Sequence, residues 1–249
     1  MKVRFEADGD VIVVTGGANG IGRAVAVAAA SAGAKVVSCD VDAAALAAVQ
    51  AEHPAIGTET LDVGDREAVM AVFARIERDY GRIDGLICAA AIQPRHLVHE
   101  TPPDEWRRVM AVNLDGVVWC YQAVINGMIA RRRGSIVAFT SGLAHQGWPQ
   151  AAAYAATKAA LVGFAKSAAK EVARHRVKFN LISPGVIDTV QYRAANEGTD
   201  HQRWLASTGV GMPEDVVGPL LFLLSDAGTM TASLISRDLA YAAEEPDHG

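Results

Sequence analysis

Residues 10–15, DVIVVT, are a short and almost wholly apolar run rich in β-branched side chains. They pass directly into the glycines of residues 15–22 and then into an alanine-rich segment. A run of this length without polar alternation fits a strand covered on both faces. A buried strand feeding a helix through a tight glycine turn opens a βα unit, and few architectures accept one. The alternation then repeats. Strand-like runs fall at 35–40, 56–62, 83–89, 135–140, 177–183 and 234–238, and helical segments at 20–32, 43–52, 66–80, 103–130, 151–174 and 213–224. Gly33 and Gly81 stand where the first and third helices should stop, and Pro103 stands where a helix tolerates proline. Residues 190–211 read as irregular and polar. The expected fold class is α/β, with about seven parallel strands in one doubly wound sheet flanked by helices. Residues 1–249 should form one domain, with a small substrate-covering lobe near 190–211.

Composition agrees. A chain of 249 residues, 51% of them hydrophobic, can bury a large core without staples. Basic residues number 23 and acidic ones 28, and the resulting charge of −5 excludes a dedicated nucleic-acid binder. Cys39, Cys88 and Cys120 lie in apolar stretches, too far apart for a disulfide framework or a zinc site. They read as small buried hydrophobes in a reducing compartment, and no metal is expected. The segment MKVRFEADGD has no apolar core ahead of its charges, and no apolar run approaches the ~20 residues that cross a bilayer. A cytoplasmic protein without membrane partners is expected.

The turn after the first strand reads Thr15-Gly16-Gly17-Ala18-Asn19-Gly20-Ile21-Gly22. Glycines at 16, 20 and 22 let the chain turn tightly and bring backbone N–H groups and a helix start against a pyrophosphate. An ordinary βα turn also favours glycine, so the context of strand before and helix after carries the weight. Asp40 ends the second strand 18 residues beyond Gly22, where an acidic residue would hydrogen-bond ribose hydroxyls. Its carboxylate would repel the 2′-phosphate of NADP. Val41 follows, Asn19 occupies the loop, and the nearest cation, Arg23, opens the helix, so NAD is the expected cofactor. Asp40 could instead cap the next helix, a task for which Asp42 is equally placed. Asp62 and Val63 close the third strand, either at an adenine edge or as the cap of the helix at 66.

The segment SGLAHQGWPQAAAYAATK, residues 141–158, holds Tyr154 and Lys158 four apart, on one helix face. A phenol with a pKa of about 10 is a poor base at neutral pH. A lysine ammonium and an oxidised nicotinamide ring would both stabilise its phenolate. Ser141 ends the fifth strand, and its hydroxyl can bond the substrate oxygen that Tyr154 protonates or deprotonates. Singly, a Tyr–Lys pair at this spacing is ordinary helix surface and the serine an ordinary cap; their conjunction with the glycine loop points to hydride-transfer chemistry.

These segments resemble the short-chain dehydrogenase/reductase family across essentially the whole chain. Thr15 to Gly22 is similar to its T-G-x-x-x-G-x-G loop, Tyr154 to Lys158 to its Y-x-x-x-K motif, and Ser141 stands at its serine position. Asn113 matches an asparagine that, by the resemblance, anchors a water linking the lysine to solvent. Asn180 to Thr189 resembles N-x-x-x-P-G-x-x-x-T, which implies that Pro184, Ile187 and Thr189 receive the nicotinamide carboxamide. The resemblance implies a Rossmann-like fold with Asn113, Ser141, Tyr154 and Lys158 as the catalytic set. NAD would be bound by Gly16, Asn19, Gly20, Ile21, Gly22, Asp40, Val41, Asp62, Val63, Cys88, Ala89 and Ala90, together with Tyr154, Lys158, Pro184, Ile187 and Thr189. Three departures stand out. The family's N-N-A-G reads Cys88-Ala89-Ala90-Ala91, its apolar-Asp-Gly-Gly ending reads Arg237-Asp238-Leu239-Ala240, and Ala232 replaces a common glycine.

Leu143, Trp148 and Tyr192, with Ser141 and Tyr154, are the expected substrate contacts. Trp204 and Leu205 sit in the covering lobe and His96, His99 and His145 in loops; the tryptophans could equally pack the lobe itself. A roomy apolar and aromatic pocket with few fixed charges follows, suited to a hydrophobic or aromatic secondary alcohol or its ketone. An NADPH-dependent 3-oxoacyl reductase is the nearest competitor, opposed by Asp40. A non-catalytic NAD sensor should lack part of the Ser–Tyr–Lys set. A methyltransferase would not need that set, and a sugar-nucleotide epimerase usually has a longer chain. Ala123, Ala160 and Val162 on the outer faces of the helices at 103–130 and 151–174 suggest a homotetramer. The run at 131–133 reads as a solvated turn.

Overall fold

A computed structural model of the chain describes residues 4–196 and 199–237. The first apolar run forms β1 (Val11–Thr15), buried along its whole length. Its glycine turn leads into α1 (Gly20–Ser31), and the alternation continues through β2 (Lys35–Asp40), α2 (Ala43–Glu52), β3 (Gly57–Thr60), α3 (Arg66–Tyr80) and β4 (Gly85–Cys88). Then come α4 (Pro103–Met110), α5 (Gly116–Arg131), β5 (Gly134–Phe139), α6 (Leu143–Gln146), α7 (Ala152–Val172) and β6 (Val177–Ser183). The last elements are α8 (Val190–Ala195), α9 (Thr199–Ser207), α10 (Val217–Leu224) and β7 (Leu234–Ser236).

The strands pair in the order β3-β2-β1-β4-β5-β6-β7, and every pairing is parallel. Side chains alternate through the sheet with period two. Val13 packs into a cluster with Phe73 of α3, Val124 of α5 and Leu161 of α7. Its neighbours Ile12 and Val14 pack on the other face with Val25 of α1 and Leu220 of α10. Burying a Val, Leu or Ile side chain contributes about 1.5–3 kcal/mol, so covering both faces explains why β1 lacks polar alternation. Cys39, Cys88 and Cys120 are free and buried in the first of these clusters. Gly81 stops α3 in the left-handed conformation, φ 83°, where glycine costs nothing.

Several expectations change. The stretch 103–130 is helical throughout but not α-helical throughout: a π-helical turn, Ala111–Asp115, lies between α4 and α5. The irregular stretch after β6 contains two helices, α8 and α9. Thr189 caps α8 by accepting a hydrogen bond from the Tyr192 backbone at 3.0 Å, and α8 is too short for its periodicity to show. The strand expected at 56–62 shrinks to Gly57–Thr60, and that at 234–238 to Leu234–Ser236. Asp238, Leu239 and Ala240 lie outside the described residues. Ala123 and Val162 are half-buried against the chain's own core, and Ala160 alone of the three is exposed. The run at 131–133 does form the exposed turn between α5 and β5, and within it Arg131 pairs with Glu77 at 3.1 Å and Arg133 with Asp10 at 3.0 Å. No described helix is long and apolar enough to cross a membrane.

Candidate active site

The strand order reverses at β1, between β2 and β4, and Thr15 is in register with Cys39 on one side and Cys88 on the other. Such a switch point leaves a crevice at the carboxyl ends of the strands. The glycine loop lies in it. Gly16 has φ +67°, and a Cβ there would stand 2.6 Å from the Ala90 nitrogen. Gly22 packs so closely that a Cβ would collide with the Gly16 carbonyl. The loop is tied to β2, since the Gly17 nitrogen donates to the Cys39 carbonyl at 3.1 Å and the Ala18 nitrogen to Asp40 Oδ2 at 3.1 Å. Asn19 and Ile21 face the cleft with Gly16 and Gly22. Gly20 sits against Thr189. A loop with no room for a Cβ at Gly16 or Gly22, open to the start of α1, fits a dinucleotide pyrophosphate.

Neither Asp40 nor Asp62 caps a helix. Asp42, not Asp40, caps α2 by accepting from the Ala45 nitrogen at 3.0 Å. Asp40 instead faces the loop, with Val41 beside it 64% exposed. Likewise Asp65 caps α3. Asp62 accepts from the Gly64 nitrogen at 2.9 Å and pairs with Arg108 at 2.9 Å, while Val63 is buried. Arg23 is taken by an ion pair with Glu52 on α2. Cys88 is buried, and Ala89 and Ala91 line the cleft.

Ser141, Tyr154 and Lys158 meet in the same cleft, which encloses about 250 Å³. Ser141 follows β5, and its Oγ accepts from the Leu143 nitrogen at 3.2 Å. Tyr154 and Lys158 share a face of α7, with Nζ 5.5 Å from the Tyr154 ring centroid. Lys158 is buried and donates to the Phe139 carbonyl at 3.0 Å. Burial pushes the Tyr154 phenol up to about 12. A hydrogen bond from Ser141 and the positive charge of Arg95 act against it. Burial also pulls the Lys158 amine down to about 8. Ser141 and Arg95 thus oppose the rise, while the Lys158 ammonium lies beside the Tyr154 ring and donates to the Phe139 carbonyl.

Asn113 does not line the cleft. It is fully buried in the π-helical turn, where Oδ1 accepts from the Ile92 nitrogen at 2.8 Å and Nδ2 donates to the Ile92 carbonyl at 2.9 Å. A longer contact reaches Thr157 Oγ1 at 3.4 Å. Asn113 thus fastens the loop after β4 to the helix that carries Tyr154. π turns of this kind cluster at functional sites.

Pro184, Ile187, Thr189, Leu143 and Tyr192 line the cleft as well. Trp148 does not; it stacks behind Trp204 of α9, with ring centroids 4.7 Å apart, and Trp204 reaches the cleft instead. His96 pairs with Glu105 at 3.2 Å, and neither it nor His145 is among the described lining residues. The expectation of few fixed charges fails: Arg95 and Arg237 line the cleft, with glutamines at 93, 146 and 191. The loop after β4 and the segment after β6 converge there, and their polar side chains are close only after folding.

The short chain dehydrogenase family model matches residues 10–200. The chain belongs to the short-chain dehydrogenase/reductase family. As a member it is an oxidoreductase and binds a nicotinamide cofactor. A relative from Sphingomonas sp. (strain SKA58), 2-dehydro-3-deoxy-L-rhamnonate dehydrogenase (NAD(+)), is 34% identical over 90% of this chain and 92% of its own. The 3-oxoacyl-[acyl-carrier-protein] reductase of Thermotoga maritima is 33% identical over 93% of this chain and 97% of its own. The crystal structure of gox2181 superposes with a TM-score of 0.88 at 31% identity, covering 94% of this chain and 95% of that one. The short-chain dehydrogenase fold accounts for the sheet order and for the placing of Ser141, Tyr154 and Lys158 around one cleft.

Proposed function

We propose that the chain is an NAD(H)-dependent dehydrogenase that interconverts a secondary alcohol and its ketone. The observation that carries this is the convergence of Ser141, Tyr154 and Lys158 on the cleft that the glycine loop opens into. When bound, the oxidised nicotinamide accepts the hydride. In the oxidative direction the carbinol C–H bond breaks with its electron pair leaving as that hydride. The O–H proton passes to the Tyr154 phenolate, and the C–O bond becomes a carbonyl. Ser141 holds the substrate oxygen at Tyr154. Lys158 would hold the nicotinamide ribose hydroxyls. The Asn113 side chain is held by Ile92, and a water relaying protons to Lys158 would bind at Asn113 beside that contact. All three chemical groups are present, which argues against a sensor without activity.

NAD rather than NADP is supported by Asp40, by the engagement of Arg23 with Glu52, and by the NAD(+) in the name of one relative. The relatives named as 3-oxoacyl-[acyl-carrier-protein] and acetoacetyl-CoA reductases favour a second reading, carbonyl reduction with NADPH. Comparing kcat/KM for NAD and NADP decides between them. Asp40→Ala should weaken NAD about tenfold or more, the scale of a charge-assisted hydrogen bond, and relax discrimination against NADP. A parent enzyme that prefers NADP would reverse the assignment. We further propose a cytoplasmic homotetramer.

A further inference from the structure

Three segments around the cleft meet at one buried amide. Asn196 follows α8 and is buried. Its Oδ1 accepts from Trp204 Nε1 at 3.2 Å and from Arg95 Nη2 at 3.0 Å, and its Nδ2 donates to the Tyr192 carbonyl at 2.8 Å. An amide oxygen has two lone pairs, so both acceptor places of Asn196 are filled. Arg95 carries the connection onward. Its Nη1 donates to the Pro149 carbonyl at 3.3 Å, and the neighbouring His96 nitrogen donates to the Gln150 carbonyl at 3.2 Å. The loop after β4, the segment leading into α7 and the two helices of the covering lobe are thus joined at Asn196. Neither Asn196 nor Trp204 has a part in the chemistry described so far.

Trp204 is the member of this junction that a substrate would meet, since it lines the cleft with Ser141 and Tyr154. Its indole is held twice. The Nε1–H is taken by Asn196, and the ring lies against Trp148, with centroids 4.7 Å apart. The preceding residue, Arg203, places its guanidinium carbon 4.5 Å from the Trp148 ring centroid, so α9 grips Trp148 with two successive side chains. Trp148 belongs to the segment that joins Ser141 to Tyr154, which sets the Trp204 indole at that end of the cleft. A ring engaged through both its N–H and its face cannot turn aside for a larger ligand without giving up those contacts.

We infer that Trp204 is the wall that limits the size of the substrate and that Asn196 is the positioning residue that fixes it, roles that rest on the dehydrogenase reading above. The substrate class this assigns is a secondary alcohol, or its ketone, with a compact substituent on the side of the carbinol carbon that faces α9.

The test compares kcat/KM with NAD for 2-butanol and 4-phenyl-2-butanol, which share the carbinol and one methyl group and differ in bulk. The parent should favour the smaller alcohol. Trp204→Ala should shift the ratio of larger to smaller upward about tenfold or more, the scale of added or removed bulk in an apolar pocket. Asn196→Leu removes the amide's hydrogen bonds at similar volume and should shift the same ratio upward about 3- to 10-fold, the scale of one hydrogen bond. Asn196→Asp keeps an acceptor for Trp204 and should stay near the parent. In the Trp204→Ala background Asn196→Leu should leave the ratio unchanged, because the wall it positions is gone. A merely structural role would lower both alcohols alike, and an independent one would add to Trp204→Ala; either result would overturn the inference and leave the dehydrogenase reading intact. A second measurement does not need turnover. The four tryptophans give four indole N–H signals in ¹⁵N-labelled protein, and Trp204→Phe identifies the one from Trp204. That signal should shift and exchange faster with water in Asn196→Leu and hold its place in Asn196→Asp, and an unmoved signal in Asn196→Leu would remove Asn196 from the role. If the parent oxidises neither alcohol, the dehydrogenase reading is what fails, and the indole signal still decides whether Asn196 fixes Trp204.

Discussion

Tyr154 enters the reaction from the protonated side. With its phenol pushed up to about 12 by burial, the free protein carries a neutral phenol across the physiological range. That is the form ketone reduction needs, whereas alcohol oxidation needs the phenolate. Oxidation should therefore accelerate as pH rises from neutral into the alkaline range, while reduction should not, and pH profiles of kcat/KM in both directions check this. Ser141 stabilises the phenolate, so Ser141→Ala should raise the phenol further and move the alkaline rise of oxidation to higher pH. An unmoved profile would mean that the serine does not act on the phenol. Tyr154→Phe keeps the ring and removes the proton donor. Its kcat should fall by at least ~10²–10⁴-fold with NAD affinity little changed, as steady-state kinetics and calorimetry would read. A cleanly folded Tyr154→Phe protein within a few-fold of the parent would shift the proton-transfer role elsewhere.

The glycine turn is the element on which cofactor binding depends most. Gly16→Ala meets two obstacles at once, a φ of +67° and a Cβ 2.6 Å from the Ala90 nitrogen. The left-handed conformation alone costs a non-glycine residue about 1–2 kcal/mol. The variant should have a lower Tm and a weakened NAD affinity, measurable by calorimetry. Unchanged values would show that Ala89 and Ala90 yield easily. This element was legible in the sequence because its requirement is local: strand, glycine spacing and helix are contiguous. The Tyr154–Lys158 pair was legible for the same reason, being one turn of one helix. The π turn was not, because Asn113 is held by Ile92, 21 residues earlier, and nothing in the periodicity of 103–130 marks the break. Arg95 and Asn196 were missed on similar grounds. They come from loops 101 residues apart and acquire meaning only when the sheet brings those loops over one cleft.

At the scale of the molecule, the exposed Ala160 puts a small side chain on the outer face of α7, on which the proposed tetramer rests, whereas Ala123 and Val162 pack against the chain's own core. Light scattering should give four chains per particle, and a monomer at micromolar concentration would remove the assembly. A different consequence follows from the pairing of Trp148, which precedes α7, with Trp204 of α9. Two indoles with centroids 4.7 Å apart and planes inclined at 32° lie close enough for their transition dipoles to couple. The pair should give a split, exciton-type band in the ultraviolet circular dichroism that neither ring produces alone and that Trp148→Phe or Trp204→Phe abolishes. Because one partner belongs to the segment covering the cleft and the other to the segment leading into α7, the sign and size of that band serve as a label-free optical ruler between them.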